Sequence, residues 1–273
     1  MATLNYVEGE PRIAYDRSGS GPLVVFMHGV GGNRANWEGQ VAHFGREYCA
    51  VAWDARGYGS SGDSPQTLKF TDFGDDLIRL LDHLKADKAH IVGLSMGGMI
   101  AQEFYGRYGD RAATLVLVDT NTGLGMLPEE FKREFLGRRL APLEKGLTPA
   151  DTAQANARAL CSPHTPDETV AKLVKSLSSL RVEPYKQSLR AILTTDSRAV
   201  LPRVKVPTLV IVGEDDTLTT PAMADEIVAG IHGAEKVTIP RAGHLSNLER
   251  PVEFDAALDA FLHRHASLAS SVK

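Results

Sequence analysis

The stretch His90–Ile100, HIVGLSMGGMI, sets a serine between glycines: Gly93-Leu94-Ser95-Met96-Gly97. An apolar run leads into it and a helix-like pattern follows, which is the context of a nucleophile elbow. A sharp strand-to-helix turn projects the Ser95 hydroxyl outward. Gly93 and Gly97 omit the side chains that would hold strand and helix apart. The helix that opens after Ser95 points its partly positive N-terminus at the place where an attacked carbonyl gathers negative charge. The chemistry this predicts is acyl transfer.

A serine hydroxyl attacks poorly unless a base takes its proton, and that base is usually a histidine oriented by a carboxylate. Of nine histidines, His244 alone follows a predicted sheet strand directly, in the glycine-marked loop Arg241-Ala242-Gly243-His244. Asp216, at the end of the preceding predicted strand, is the first choice of acid; its neighbour Asp215 and the strand-ending Asp119 are the alternatives. The loop Gly29-Val30-Gly31-Gly32-Asn33-Arg34 has Arg34 where a dinucleotide fingerprint needs glycine, and it lacks the Gly-Lys-Ser/Thr ending of a phosphate loop. As an oxyanion loop it needs only a free backbone N–H, which Val30 offers, with Met96 as the second donor. His263-x-His265 has no further ligand nearby, so no metal site is expected, and no motif asks for a cofactor.

The elements that must carry these residues follow from hydrophobic patterning. Ile13 and Tyr15 read as an edge strand, paired through the turn at 18–22 with the buried run Leu23–His28. Further apolar runs at 48–53, 90–92 and 113–118 predict strands. Phe73, Leu77, Leu80, Leu81 and Leu84 have helical spacing, with Thr71 or Asp72 as N-cap. Asp54 and Arg56 are expected to pair and fix the turn between them. Such alternation predicts a mostly parallel sheet with helices on both faces. From 124 to 200 the buried strands stop and proline-punctuated helical segments take over, which predicts an all-helical cap inserted between core segments 1–123 and 201–273. Strands return at 207–212 and 236–240, a helix at 252–263 closes the fold, and the Ser/Ala-rich tail is expected to fray.

Composition narrows the function classes. A net charge of −4 over 273 residues gives no basic footprint, so nucleic acid is not an expected partner. No apolar run is long enough to span a bilayer, and residues 1–19 lack the basic-then-apolar pattern of a secretory signal. Cys49 and Cys161 lie far apart without metal spacing, as free thiols in a reducing compartment would. The expectation is a cytoplasmic enzyme with a small-molecule acyl substrate; a homo-oligomer stays open.

Taken together, HGVGG at 28–32, DARGYGSSG at 54–62, GLSMGG at 93–98, GEDD at 213–216 and GHLSNLERP at 243–251 resemble the α/β-hydrolases with a helical cap over nearly the whole chain. The resemblance implies the α/β-hydrolase fold, places the acid three residues after Gly213, and so favours Asp216. Within the family, GLSMGG with GHLSNLE is most similar to the 3-oxoadipate enol-lactonases and related esterases, from which His28-Gly29 is a departure. The implied activity is hydrolysis of an ester or lactone through an acyl-enzyme on Ser95. The same triad would also serve a carbon–carbon bond hydrolase, a cofactor-free perhydrolase or a hydrolase-like ligand receptor. Arg34, Arg138, Arg139, Arg158, Arg181 and Arg190 lie in the oxyanion loop or cap, where one could hold a substrate carboxylate, although arginines on helices ordinarily face solvent.

Overall fold

The computed structural model describes residues 2–273. In chain order, β1 (Thr3–Val7), β2 (Ile13–Ser18) and β3 (Gly21–Met27) are followed by α1 (Glu38–Phe44), β4 (Cys49–Trp53), α2 (Thr71–His83), β5 (Ala89–Leu94), α3 (Met96–Tyr108) and β6 (Ala112–Val118). Four helices come next, α4 (Glu129–Glu144), α5 (Pro149–Leu160), α6 (Asp167–Ser178) and α7 (Val182–Ile192). The chain then returns to the sheet with β7 (Thr208–Gly213), α8 (Pro221–Gly230), β8 (Glu235–Ile239), α9 (Ser246–Glu249), α10 (Pro251–His265) and β9 (Ser271–Val272).

The sheet order is β1-β2-β4-β3-β5-β6-β7-β8, with β4 through β8 parallel and β1 and β2 antiparallel at one edge. β5 and β6 are buried along their whole length, and β3 from Leu23 onward, because both faces are covered, which is why they read as continuous apolar runs. Val25, Met27, Ile91 and Leu117 face one way, onto Phe73, Leu77, Ile100 and Phe104 of α2 and α3. Val24, Phe26, Val92 and Val118 face the other way, onto Val41 and Phe44 of α1 and Phe254, Leu258 and Phe261 of α10. Period-two alternation therefore builds two cores from one sheet.

Four expectations are corrected. β2 does not pair with β3, because β4 lies between them, so β2 bonds to β1 and β4. The turn at Gly19 is packed against the segment entering β4, where an added Cβ would lie 2.1 Å from the Gly45 carbonyl oxygen and 2.4 Å from that of Tyr48. Asp54 and Arg56 are not partners. Asp54 accepts from the backbone N–H groups of Arg34 (2.8 Å) and Ser60 (2.7 Å) and pairs with the Arg34 guanidinium. Arg56 instead grips Asp76 with two bonds, at 2.6 and 2.8 Å. Neither Thr71 nor Asp72 caps α2; Thr71 is its first residue, and the Asp72 carboxylate accepts the Lys69 N–H at 2.9 Å. Finally, the tail is paired: β9 runs antiparallel to Gly21 and Pro22 of β3. The short helix α1 and the edge strand β1 were not read from the pattern. A crossover such as α1 is what the parallel pairing of β3 and β4 requires.

Candidate active site

Ser95 stands where β5 ends and α3 begins, with φ 55° and ψ −115°. A non-glycine residue held there costs about 1–3 kcal/mol, and the surroundings enforce it. The Ser95 N–H donates to the Val118 carbonyl at 2.9 Å, and its own carbonyl accepts from Gly98 N–H, Met99 N–H and the Thr120 hydroxyl. The flanking glycines are obligatory on steric grounds. A Cβ at Gly93 would lie 2.2 Å from the Gly97 carbonyl oxygen, and one at Gly97 2.3 Å from that of Met27.

Two loops bring the other members to it. His244, in the loop after β8, has its Nε2 3.0 Å from Ser95 Oγ and its Nδ1 2.9 Å from Asp216 Oδ2. Asp216 follows β7, and its Oδ1 accepts the N–H groups of Leu218 (2.8 Å) and Thr219 (2.9 Å), so a local turn fixes the carboxylate. The Thr219 hydroxyl donates to Asp216 Oδ2 at 2.6 Å. With that proton committed, Nδ1–H of His244 is the donor to Asp216, which leaves Nε2 free to accept from Ser95. Burial opposes charge on His244, but the bond to Asp216 and the charges of Asp216, Asp119 and Glu249 raise its pKa above the usual 6.5. Burial likewise works against ionised Asp216, yet His244 and Thr219 hold its pKa below the ordinary carboxylate value.

The alternative acids take other places. Asp119 is fully buried and accepts from Gly213 N–H (2.8 Å), Ser246 N–H (3.0 Å) and the Ser246 hydroxyl (2.7 Å). It ties the Asp216 loop to the His244 loop, and burial next to Asp216 pushes its pKa up to about 7. Asp215 accepts from the Ser162 hydroxyl at 2.6 Å. Neither bonds to His244.

Val30 and Met96 line the same cavity as Ser95, and neither of their N–H groups finds a protein acceptor among the described residues. Met96 is the first residue of α3, where helix geometry leaves an N–H without an intrahelical partner. An added Cβ at Gly29 would lie 2.9 Å from Ser95 Cβ, so the loop passes against the serine. His28 anchors this loop: its Nε2 accepts the Ala55 N–H at 3.1 Å and its Nδ1 donates to the Gly29 carbonyl at 2.8 Å. Burial pushes the His28 pKa down and keeps the ring neutral. The site can therefore offer a nucleophile, a base with its orienting acid, and two backbone donors.

Above Ser95 lies a cavity of about 570 Å³, walled by the core on one side and by α4–α7 on the other. That is the size of small-molecule sites in general. Its lining is largely apolar, with Leu124, Phe135, Leu173, Leu177, Leu189 and Ile192 among the wall residues. Most arginines flagged in the sequence are engaged or exposed. Arg34 pairs with Asp16 and Asp54, Arg138 lies 3.7 Å from Glu134, Arg158 pairs with Asp167, Arg181 pairs with Asp63, and Arg190 is exposed. Arg139 differs. Its guanidinium lies 3.7 Å from the Phe135 ring centroid on the cavity wall, pairs with no carboxylate among the described residues, and has a pKa lowered chiefly by burial. Elsewhere, His263 bonds Glu47 at 2.8 Å and His265 packs on Phe261. Sequence reasoning gave no role to Thr219 or Glu249 and did not find the bridging role of Asp119; Thr219 left a signal as a hydroxyl three residues after the acid, and Glu249 as a member of GHLSNLERP.

A model of the α/β hydrolase fold family matches residues 22–251. The chain belongs to this family, and it is an enzyme of the hydrolase class. It is 32% identical over 247 residues to 3-oxoadipate enol-lactonase 2 of Acinetobacter baylyi, covering 89% of each chain. Among solved structures it is similar to the enol-lactonase from Burkholderia xenovorans LB400, with TM-score 0.83, 27% identity, and coverage of 95% of this chain and 100% of that one. A thermophilic esterase from Thermogutta terrifontis gives TM-score 0.84 at 29% identity, covering 96% and 99%.

Proposed function

We propose that the protein hydrolyses a carboxylic ester or lactone of a small molecule through an acyl-enzyme on Ser95, in the cytoplasm, with residues 124–200 acting as a cap on a core of 1–123 and 201–273. The observation that carries this reading is the chain Ser95 Oγ, His244, Asp216, with links of 3.0 and 2.9 Å, at the floor of a largely apolar cavity. His244 Nε2 takes the proton as Ser95 attacks the carbonyl carbon, and the Val30 and Met96 amides receive the oxyanion. His244 then protonates the departing alkoxide or enolate, and water repeats both steps on the acyl-enzyme. In a lactone the leaving group stays attached to the acyl chain, so one open-chain acid is released.

The apolar wall fits a carbon chain, and the uncompensated Arg139 guanidinium fits a carboxylate on it. A half-buried cation without a carboxylate partner is costly, and an anionic group would offset that cost. The enol-lactonase relatives are named for a lactone of a dicarboxylic acid, 3-oxoadipate, which supports the same substrate class. The two unpaired thiols, Cys49 and Cys161, support a reducing compartment.

The test is Ser95→Ala with p-nitrophenyl acetate and with lactones bearing a free carboxylate. Loss of the nucleophile should lower turnover by roughly a million-fold while thermal unfolding stays unchanged. Multiple product molecules per wild-type protein are expected, which a ligand receptor would not give. Residual turnover near wild type in Ser95→Ala would end the acyl-enzyme reading.

A further inference from the structure

Glu249 is buried at 4% exposure and has no lysine or arginine partner among the described residues. A buried carboxylate is costly unless donors surround it. Here the donors come from two separate parts of the chain. On one side Oε1 accepts the N–H of Leu245, the residue after His244, at 3.0 Å. On the other, Oε2 accepts the N–H of Ser162 at 2.8 Å and the hydroxyl of Thr165, both in the connection between α5 and α6.

Three neighbouring contacts lock the same junction. The His244 N–H donates to the Leu160 carbonyl at the end of α5, at 2.8 Å. The Ser162 hydroxyl reaches Asp215, next to the acid, at 2.6 Å. Gly243 lets the backbones meet: a Cβ there would lie 2.5 Å from Ser162 N and 2.8 Å from the Leu160 carbonyl oxygen. The cap is thus bonded to the loop of the base and to the loop of the acid at one place.

We propose that Glu249 is a positioning residue for His244, acting by clamping the α5–α6 connection of the cap to the loop that carries the histidine. A glutamine cannot replace it in kind. One of its ends is an amide NH₂, which would face either the Leu245 N–H or the Ser162 N–H, donor against donor. Besides geometry, Glu249 adds negative charge near His244, alongside Asp216 and Asp119. All three favour the imidazolium that exists once Ser95 has given up its proton. The cap then does more than enclose substrate: its seat sets the aim of the base.

The proposal rests on the acyl-enzyme reading of Ser95, and the experiment separates the two. Glu249→Gln and Thr165→Val are assayed with p-nitrophenyl acetate beside Ser95→Ala, with unfolding temperatures measured for all. A misplaced base should lower kcat of Glu249→Gln by about 10- to 100-fold with KM within about twofold. The acid limb of its kcat/KM profile should move to lower pH. Thr165→Val, which removes one donor and keeps the carboxylate, should lower kcat by a few-fold and leave the acid limb in place. Should Glu249→Gln fail to fold, the kcat of Thr165→Val decides alone. The proposal is overturned if the folded variants unfold at lower temperature yet keep wild-type kcat, KM and acid limb. If Ser95→Ala itself keeps turnover, the reading of the site falls instead.

Discussion

The floor and the roof of the cavity are built by different means. In the floor, backbone meets backbone: a Cβ at Gly97 would strike the Met27 carbonyl at 2.3 Å, and one at Gly213 the Gly243 carbonyl at 2.1 Å. In the roof, Gly137 of α4 and Gly146 beyond it have nothing within 4 Å of where a Cβ would stand. The floor holds Ser95 in a strained turn by hydrogen bonds from β6 and α3, whereas the roof is assembled from apolar side chains of α4–α7. Positions without slack hold the Ser95 turn, whereas Gly137 and Gly146, the open positions of the roof, are exposed and lie outside the cavity lining. Under the proposed function, reaction class would be tied to the sheet and substrate choice to the side chains of α4–α7 that line the cavity, except at the Glu249 junction, where the two parts share hydrogen bonds.

The largest effect that bears on this contrast is expected in the floor. Asp216→Asn keeps the shape but turns an NH₂ or a neutral oxygen toward Nδ1–H, disturbing the tautomer that leaves Nε2 free. About a 10⁴-fold fall in kcat is expected, measured by steady-state turnover of an activated ester. Asp119→Asn is the matched control, because Asp119 binds backbone and Ser246 but not His244. It should lower the unfolding temperature more than it lowers kcat; the reverse outcome would make Asp119 the acid. In the wild type, the neutral ring is the active base, so activity falls as pH drops through the His244 pKa. Since Asp216, Asp119 and Glu249 raise that pKa above 6.5 against burial, the acid limb of kcat/KM should have its midpoint above 6.5.

The same contrast explains what the sequence made legible. Ser95, Asp216 and His244 could be read because each is set at a strand end by glycines or a turn, and such constraints leave marks in local order. The run of helices α4–α7, from Glu129 to Ile192, was visible through periodicity and prolines. The pairing of β2 with β4 was not, since the turn at Gly19 resembles a hairpin until β4 is known to intervene. Nor could the partners of Asp54 and Arg56 be read, because Arg34 and Asp76 lie 20 residues away from them in the chain. Glu249 stood in the motif GHLSNLERP, but its partners were silent for the same reason: the 84 and 87 residues that separate it from Thr165 and Ser162 leave no local trace. Arg139 was one of several arginines on helical segments, and only its half-buried place over Phe135, without a carboxylate partner among the described residues, sets it apart.

A smaller and more selective effect is expected in the roof. Arg139→Gln removes the cavity-wall cation that has no carboxylate partner. For a carboxylate-bearing lactone, loss of a charge-assisted bond of about 1.5–3 kcal/mol should lower kcat/KM by about 10- to 100-fold. For p-nitrophenyl acetate, which has no such group, the same variant should stay within about twofold. Equal losses on both substrates would break the assignment of substrate choice to the cap.

The smallest effect tests the slack itself. Gly137 sits inside α4, exposed, with open space where a Cβ would go. Alanine there should stabilise the helix by up to about 1 kcal/mol, since glycine loses the most backbone freedom on folding. Unfolding temperature should rise by about 2–4 °C if α4 melts with the rest of the chain. Gly97→Ala, in the floor, should instead lower it sharply, because the Met27 backbone cannot give way without moving β3. The informative readout is kcat of Gly137→Ala. Unchanged kcat means that the roof works as a fixed enclosure, and a reduced kcat with raised unfolding temperature means that α4 must loosen during turnover, so that slack in the cap is part of the catalytic cycle.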